Sequence, residues 1–157
     1  MNKIKIISIL VLDQSEAVEF YTKKLGFELL EDKSFGEGRW VTVGLPSHTD
    51  LTLALELAAS AEDQSLVGKQ AGSHALLALD TSDCLADYRR MKPLGVKFLG
   101  EPQSGPWGTG VQLEDLYGNK LFLDELVITE RMLASPGAQI QTARDSIFGY
   151  NSEPKPL

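Results

Sequence analysis

A pattern of strands and one helix occurs twice in this chain, and this repeat restricts the possible folds more than any other feature of the sequence. The segment Leu25-Gly26-Phe27-Glu28-Leu29 is matched by Leu94-Gly95-Val96-Lys97-Phe98. In each copy an apolar strand and a polar helix cap come before this segment. Four strands and one helix leave one sheet face uncovered, so neither copy needs to be stable alone.

The first copy has the element order β-α-β-β-β. The apolar, β-branched residues 4–12 predict a strand that is buried on both faces. The side chains of Asp13 and Ser15 are suited to cap the helix that follows, and Gly26 ends that helix. Short apolar segments then predict three further strands, at residues 27–30, 39–45 and 50–57.

The second copy repeats this order. Its predicted elements are a strand at 74–79, a cap at Thr81-Ser82-Asp83, a helix at 85–91, and strands at 96–99, 111–114 and 121–124, with a glycine-rich turn at 103–110. Residues 58–73 contain few large apolar side chains, so this segment is predicted to be a linker.

The 157 residues therefore predict one α+β domain, built from two βαβββ modules whose strands form a paired, partly closed mixed sheet around a cleft. Phe148 and Tyr150 are expected to hold a partly ordered C-terminal extension to the body or to a partner subunit, with fraying of the end as the alternative. The predicted boundaries are about 1–57 for module one, 58–73 for the linker, 74–126 for module two and 127–157 for the extension.

Composition excludes several classes of function. The 22 acidic and 15 basic side chains give a formal charge of -7 without a lysine or arginine run, so nucleic acid is not an expected partner. The acidic surface is compatible with a cationic small ligand, although solubility alone explains it. The apolar run at 6–12 is too short to span a membrane. The single cysteine, Cys84, agrees with a reducing compartment, and a cytoplasmic location is expected.

Three stretches of the sequence resemble the vicinal oxygen chelate superfamily, which includes glyoxalase I, extradiol dioxygenases and bleomycin resistance proteins. They are Val11-Leu12-Asp13 with Phe20-Tyr21 and Leu25-Gly26-Phe27, then Leu94-Gly95-Val96-Lys97-Phe98, and finally Asp115-Leu116-Tyr117-Gly118-Asn119. The resemblance implies paired modules whose strands curl around a ligand cavity, and it implies a homodimer. A fold does not define the chemistry, so the site has to be tested separately.

The resemblance also implies a divalent metal, held by side chains from the first and fourth strands of both modules. Ile6 and Phe122 fall at two of these positions and have no donor atom, whereas His74 at a third has the expected residue type. The fourth position falls near Leu53, with Glu56 as the nearest carboxylate. One histidine does not hold a catalytic metal, so no cofactor is expected. The alternative is a shifted metal set of His74, Glu56 and Asp124 or Glu125.

Two tryptophans are predicted to form the walls of an apolar ligand slot. Trp40 and Trp107 each lie beside glycines at the start of a module's third strand, where Arg39 or Gln112 would supply a polar contact. The alternative is that the rings close the ends of the sheet. His74 is either a ligand contact or a histidine that hydrogen-bonds to the linker. The predicted ligand-binding residues are Arg39, Trp40, Glu56, His74, Trp107, Gln112 and Phe122.

These observations predict a protein that binds a small organic molecule in its cleft without a catalytic metal. The alternative is a metal-dependent lyase, isomerase or dioxygenase of the glyoxalase type with the shifted ligand set, so the sequence leaves open whether a reaction is catalysed. A protein-interaction module is the third class. Cys84 directly follows the predicted cap at Thr81-Ser82-Asp83, in the first helical turn, where the helix dipole favours a thiolate. No histidine lies nearby in sequence, so an inert thiol is expected.

Overall fold

The computed structural model describes residues 3–127, with the side chain of Thr49 excepted. The predicted C-terminal extension lies outside the described residues from residue 128 onward. No helix within residues 3–127 is both long enough and apolar enough to cross a bilayer.

The elements of the first module follow the predicted order. They are β1 (Ile6–Val11), α1 (Gln14–Glu19, continued by a π-helical segment Phe20–Leu25), β2 (Glu28–Phe35), β3 (Gly38–Leu45) and β4 (His48–Leu57). Asp13 is the N-cap of α1, since its carboxylate accepts hydrogen bonds from the backbone amides of Ser15 and Glu16. Gly26 ends the helix in the left-handed conformation that glycine adopts without strain.

The second module repeats the first with one strand divided. Its elements are β5 (Leu77–Asp80), α3 (Cys84–Met91, followed by a 3₁₀ turn Lys92–Leu94), β6 (Lys97–Phe98), β7 (Gln103–Gly105), β8 (Gly108–Glu114) and β9 (Lys120–Leu126). The glycine-rich segment predicted as a turn contains β7, which forms a tight hairpin with β8. β5 starts at Leu77, three residues later than predicted.

Each module forms its own mixed sheet, and the α+β class with two βαβββ modules is confirmed. The strand order is β1-β4-β3-β2 in sheet one and β5-β9-β8-β6 in sheet two, where β7 also pairs with β8. In both sheets the first strand of the module is parallel to the last and the other pairs are antiparallel. The two sheets are not closed into a barrel.

The two modules can be superimposed in register through their helix caps. Asp83 caps α3 as Asp13 caps α1, and Ile9 and Leu79 lie four residues before these caps. Ile9 pairs with Leu55, and Leu79 pairs with Leu123. These equivalences relate the open faces of the two sheets residue by residue: Leu10 to Asp80, Trp40 to Gly110, Ala54 to Phe122 and Glu56 to Asp124.

One hydrophobic core joins the modules. The inner faces of both sheets and both helices contribute to it, including the fully buried side chains of Ile9, Leu55, Cys84, Leu113 and Leu121. A polar contact crosses the same junction, because the hydroxyl of Tyr21 donates to Asp115 Oδ2 at 3.0 Å. The modules therefore pack as one unit, and the opposite faces of the sheets remain available for binding.

The predicted linker contains an additional helix, α2 (Ala61–Leu66). Ser60 caps it, accepting a hydrogen bond from the amide of Asp63 at 3.0 Å. None of the α2 residues is buried, which explains why hydrophobic periodicity gave no sign of it. The end of the linker is fixed to β1, since the Gln70 side chain bonds the backbone of Leu10 and Ser8.

Candidate functional site

A groove of about 270 Å³ lies on the open face of sheet two. Side chains alternate along β8 and β9, so that Leu113 and Leu121 enter the core while Gln112 and Phe122 face the groove. All residues that line the groove belong to module two, principally Leu99, Glu101, Gln103, Trp107, Gln112 and Phe122. Three of the predicted ligand-binding residues, Trp107, Gln112 and Phe122, are therefore brought together here.

Gly110 makes room for the two aromatic rings of this groove. A Cβ at this position would lie 2.5 Å from Cζ of Phe122 and 3.2 Å from Cη2 of Trp107. The rings approach each other over the bare backbone of β8, which a larger residue would prevent. Gly105 gives Trp107 similar space, since a Cβ there would lie 2.6 Å from Nε1 of the indole. The result is a partly apolar slot with an aromatic wall, which is the usual form of a small-molecule site.

The three predicted residues of module one lie on the other sheet and do not line this groove. Arg39 forms a bidentate ion pair with Asp32, at 2.8 Å for each bond, and also donates to Ser15 Oγ. The hydrogen bond with the Asp32 carboxylate raises the pKa of Arg39. Trp40 Nε1 donates to a carboxylate oxygen of Glu31 at 3.0 Å. These contacts give Arg39 and Trp40 structural roles at the β2–β3 hairpin.

The remaining two predictions, Glu56 and His74, are also placed away from the groove. Glu56 is half-buried on β4, beside Leu10 of β1. His74 is exposed in the bend before β5, whereas Phe122 pairs with Ala78, four residues further along the chain. His74 precedes β5 and is not among the residues that line the groove with Phe122.

A pair of carboxylates lies on the open face of sheet two. Asp80 and Asp124 are direct neighbours on the parallel strands β5 and β9. Burial, and secondly the charge of Asp80, raise the pKa of Asp124 to about 6. Asp80 was not among the predicted site residues, because a polar residue after an apolar strand usually marks only the end of that strand. Asp124 was predicted only as a substitute metal ligand.

The family is settled by comparison with known proteins. A family model described as the Glyoxalase/Bleomycin resistance protein/Dioxygenase superfamily matches residues 3–123. The chain belongs to this superfamily. An uncharacterized protein of Shewanella frigidimarina (strain NCIMB 400) is 42% identical over 115 residues, which are 72% of this chain and 85% of that protein.

Two solved structures are similar to this superfamily member. UcmS2 is 32% identical with a TM-score of 0.71, and the match covers 80% of this chain and 98% of UcmS2. TnmS3, an antibiotic binding protein from Streptomyces sp. CB03234, is 31% identical with a TM-score of 0.66, and the match covers 81% of this chain and 98% of TnmS3.

The described side chains of this superfamily member do not match the metal-ligand set that the resemblance implies. Within residues 3–127, no group of three or more His, Cys, Asp or Glu side chains is placed to hold an ion. Ile6 is an aliphatic side chain on sheet one, and Phe122 is buried in the aromatic slot of sheet two. The alternative set of His74, Glu56 and Asp124 is divided between the two sheets. This part of the chain therefore offers no set of donors with the number and geometry that a catalytic metal requires.

The one cysteine of this superfamily member is not an activated nucleophile. Cys84 is buried at the start of α3, and its backbone amide donates to Glu125 at 3.1 Å. Burial, and then the charges of nearby carboxylates led by Glu125, raise the pKa of the thiol to about 11. These effects exceed the opposing helix dipole, so the thiol stays protonated near neutral pH.

Proposed function

We propose that this protein binds a small organic molecule in the groove of module two and does so without a resident metal. The observation that carries the proposal is the aromatic slot that Trp107 and Phe122 form over Gly110. A ring-shaped ligand would lie against these side chains, with Gln112 and Gln103 at the groove wall to accept or donate hydrogen bonds. The similarity to TnmS3, which is an antibiotic binding protein, supports this class of ligand.

The uncharged benzothiazole dye that lacks only the N-methyl group of thioflavin T is a suitable first probe. We expect saturable binding that Trp107→Ala weakens by at least about tenfold, because one stacked ring contributes about 1–3 kcal/mol. Trp40→Ala is the matched control, since it removes the same side chain from the other sheet and should leave the Kd unchanged. Fluorescence titration gives the Kd values, and circular dichroism checks that both variants are folded.

Two results would contradict this proposal. Equal effects of Trp107→Ala and Trp40→Ala would show that the dye does not bind in the groove. Tight, stoichiometric uptake of nickel, manganese, iron or zinc, measured by calorimetry, would contradict a metal-free site and favour an enzyme. With a metal-free site, we expect the same dye affinity in the presence and absence of EDTA.

We also propose that two copies associate through sheet one. Several large apolar side chains of this sheet remain exposed, namely Ile6, Leu29, Leu30, Phe35 and Leu57. Four of these five residues lie on the two edge strands of the sheet, β1 and β2. Exposed apolar side chains on an edge strand favour association with another chain. We expect Ile6→Glu to weaken self-association at least about tenfold, because it would bury a charge at the interface. Leu66→Glu on α2 is the control, since Leu66 and Ile6 are both 44% exposed. Sedimentation velocity over a concentration series measures the effect, and a monomeric wild type would contradict the proposal.

A further inference from the structure

The register of sheet two places the two carboxylates in the same row as the floor of the groove. Asp80 pairs with Asp124, Asp124 with Gly110, and Gly110 with Gln103. Neighbouring strands are about 4.8 Å apart, so this row runs across the sheet from the acidic pair to the groove. Phe122 lies two residues before Asp124, on the same face of β9. The acidic pair and the aromatic slot are therefore adjacent parts of one surface.

No basic side chain neutralises this pair within the part of the chain that the structure describes. Some other acidic residues of the strands have cationic partners, as Asp32 has Arg39 and Glu114 has Lys97. Neither Asp80 nor Asp124 is in any ion pair of residues 3–127. Asp124 is half-buried, and Asp80 is exposed beside it. The two neighbouring carboxylates repel each other, and a ligand cation would relieve that repulsion.

Module one shows that the arrangement is specific to module two. Leu10 takes the place of Asp80, so the equivalent row has one carboxylate, Glu56, instead of two. Trp40 takes the place of Gly110, so a large side chain stands where module two has bare backbone. The repeat thus provides an internal comparison, in which an open aromatic floor and a carboxylate pair occur together in one copy.

We propose that the groove takes a planar organic cation, whose apolar body lies against Trp107 and Phe122 and whose charged nitrogen is received by Asp124 and Asp80. This inference rests on the proposed function and specifies its ligand class. Aromatic faces attract cations, and the two carboxylates supply the opposite charge beside them. The ligand class follows from these two neighbouring features, and the net charge of -7 favours the same sign of ligand.

Thioflavin T and its uncharged counterpart, which lacks the N-methyl group, test the charge preference directly. We expect the wild type to bind the cation at least about tenfold more tightly than the uncharged dye at pH 8. Asp124→Asn and Asp80→Asn should each remove most of this preference and leave the Kd of the uncharged dye unchanged. Glu62→Gln is the matched control, because it changes the net charge equally on exposed α2, outside the groove.

The pH dependence gives a second measurement of the same site. The groups that face Asp124 are Asp80 on β5 and, on β8, Gly110, which has no side chain; Cys84 approaches from α3 with a protonated thiol. The pKa of Asp124 is about 6 in the free protein, so its charge is lost as the pH falls through that value. Cation binding should then weaken by up to about tenfold between pH 8 and pH 5, whereas Asp124→Asn should show no such change.

The possible outcomes separate the two proposals. The proposed ligand class would be wrong if the uncharged dye bound through Trp107 as tightly as the cation. It would also be wrong if Glu62→Gln lowered cation affinity as much as Asp124→Asn. In both cases the groove would still be the binding site. If neither dye binds through Trp107, the proposed function itself is wrong. Asp124→Asn removes a half-buried charge without changing the side-chain shape, and an unchanged thermal transition would show that it is folded.

Discussion

Replacing Gly108 with alanine is expected to lower the free energy of unfolding by about 3 kcal/mol or more. Gly108 begins β8 with a φ of +132°, a conformation that L-residues rarely adopt, and a Cβ there would overlap the backbone carbonyl oxygen of Glu125 on β9. Backbone strain of this kind costs about 1–3 kcal/mol, and neither the carbonyl nor the strand that carries it can move without breaking the β8–β9 ladder. Urea unfolding followed by circular dichroism measures the loss.

Gly100→Ala is the control for this substitution. Gly100 has no positive φ, and a Cβ there would meet no atom within 4 Å. Its free energy of unfolding should change by less than about 0.5 kcal/mol. Because Gly108 follows Trp107, Gly108→Ala should also displace the indole and change its fluorescence. Equal stability of the two variants would disprove the steric argument.

Asp115→Ala is expected to destabilise the protein by about 3–5 kcal/mol, since it removes the centre of a buried hydrogen-bond network. The carboxyl group accepts hydrogen bonds from the backbone amides of Tyr117 and Asn119, the Asn119 side chain and the Tyr21 hydroxyl, at 2.8–3.0 Å. Loss of the Asp115 carboxyl group would leave these donors without an acceptor and would release the hairpin before β9. It would also break the polar contact between the modules.

Tyr21→Phe measures the part of this effect that comes from the contact between the modules. It removes one donor and keeps the ring that packs edge-on against Phe27, so about 1 kcal/mol is expected. Burial, with Asp115 beside it, raises the pKa of Tyr21 well above its usual value, so the hydroxyl keeps its proton and continues to donate. If Asp115→Ala lowered the free energy of unfolding no more than Tyr21→Phe, the hydrogen bonds of Asp115 with Tyr117 and Asn119 would contribute little to stability.

The fold could be predicted because its signals are local and occur twice. The caps at Asp13 and Asp83, the glycines that end both helices and the apolar strands each specify one element without knowledge of the rest. Two copies of the same order then fix the topology. α2 was missed because a helix without a buried side chain carries no hydrophobic period.

The site could be predicted only in part, because it depends on register across strands. Trp107 and Trp40 have similar local sequence signals, yet only Trp107 lines the groove, since Gly110 and Phe122 stand where module one has Trp40 and Ala54. His74 matches Ile6 only if Thr81 is taken as the equivalent of Asp13, whereas the equivalent cap is Asp83. The residue equivalent to Ile6 is therefore Leu76. An offset of two residues keeps the same sheet face, so alternation alone could not reveal it.

The exchange of large and small residues between the modules has a consequence for stoichiometry. A duplicated scaffold could hold two molecules, one for each half. Here Trp40 stands at the place of Gly110, so sheet one lacks the equivalent floor. We therefore expect the aromatic groove to saturate at one ligand per polypeptide.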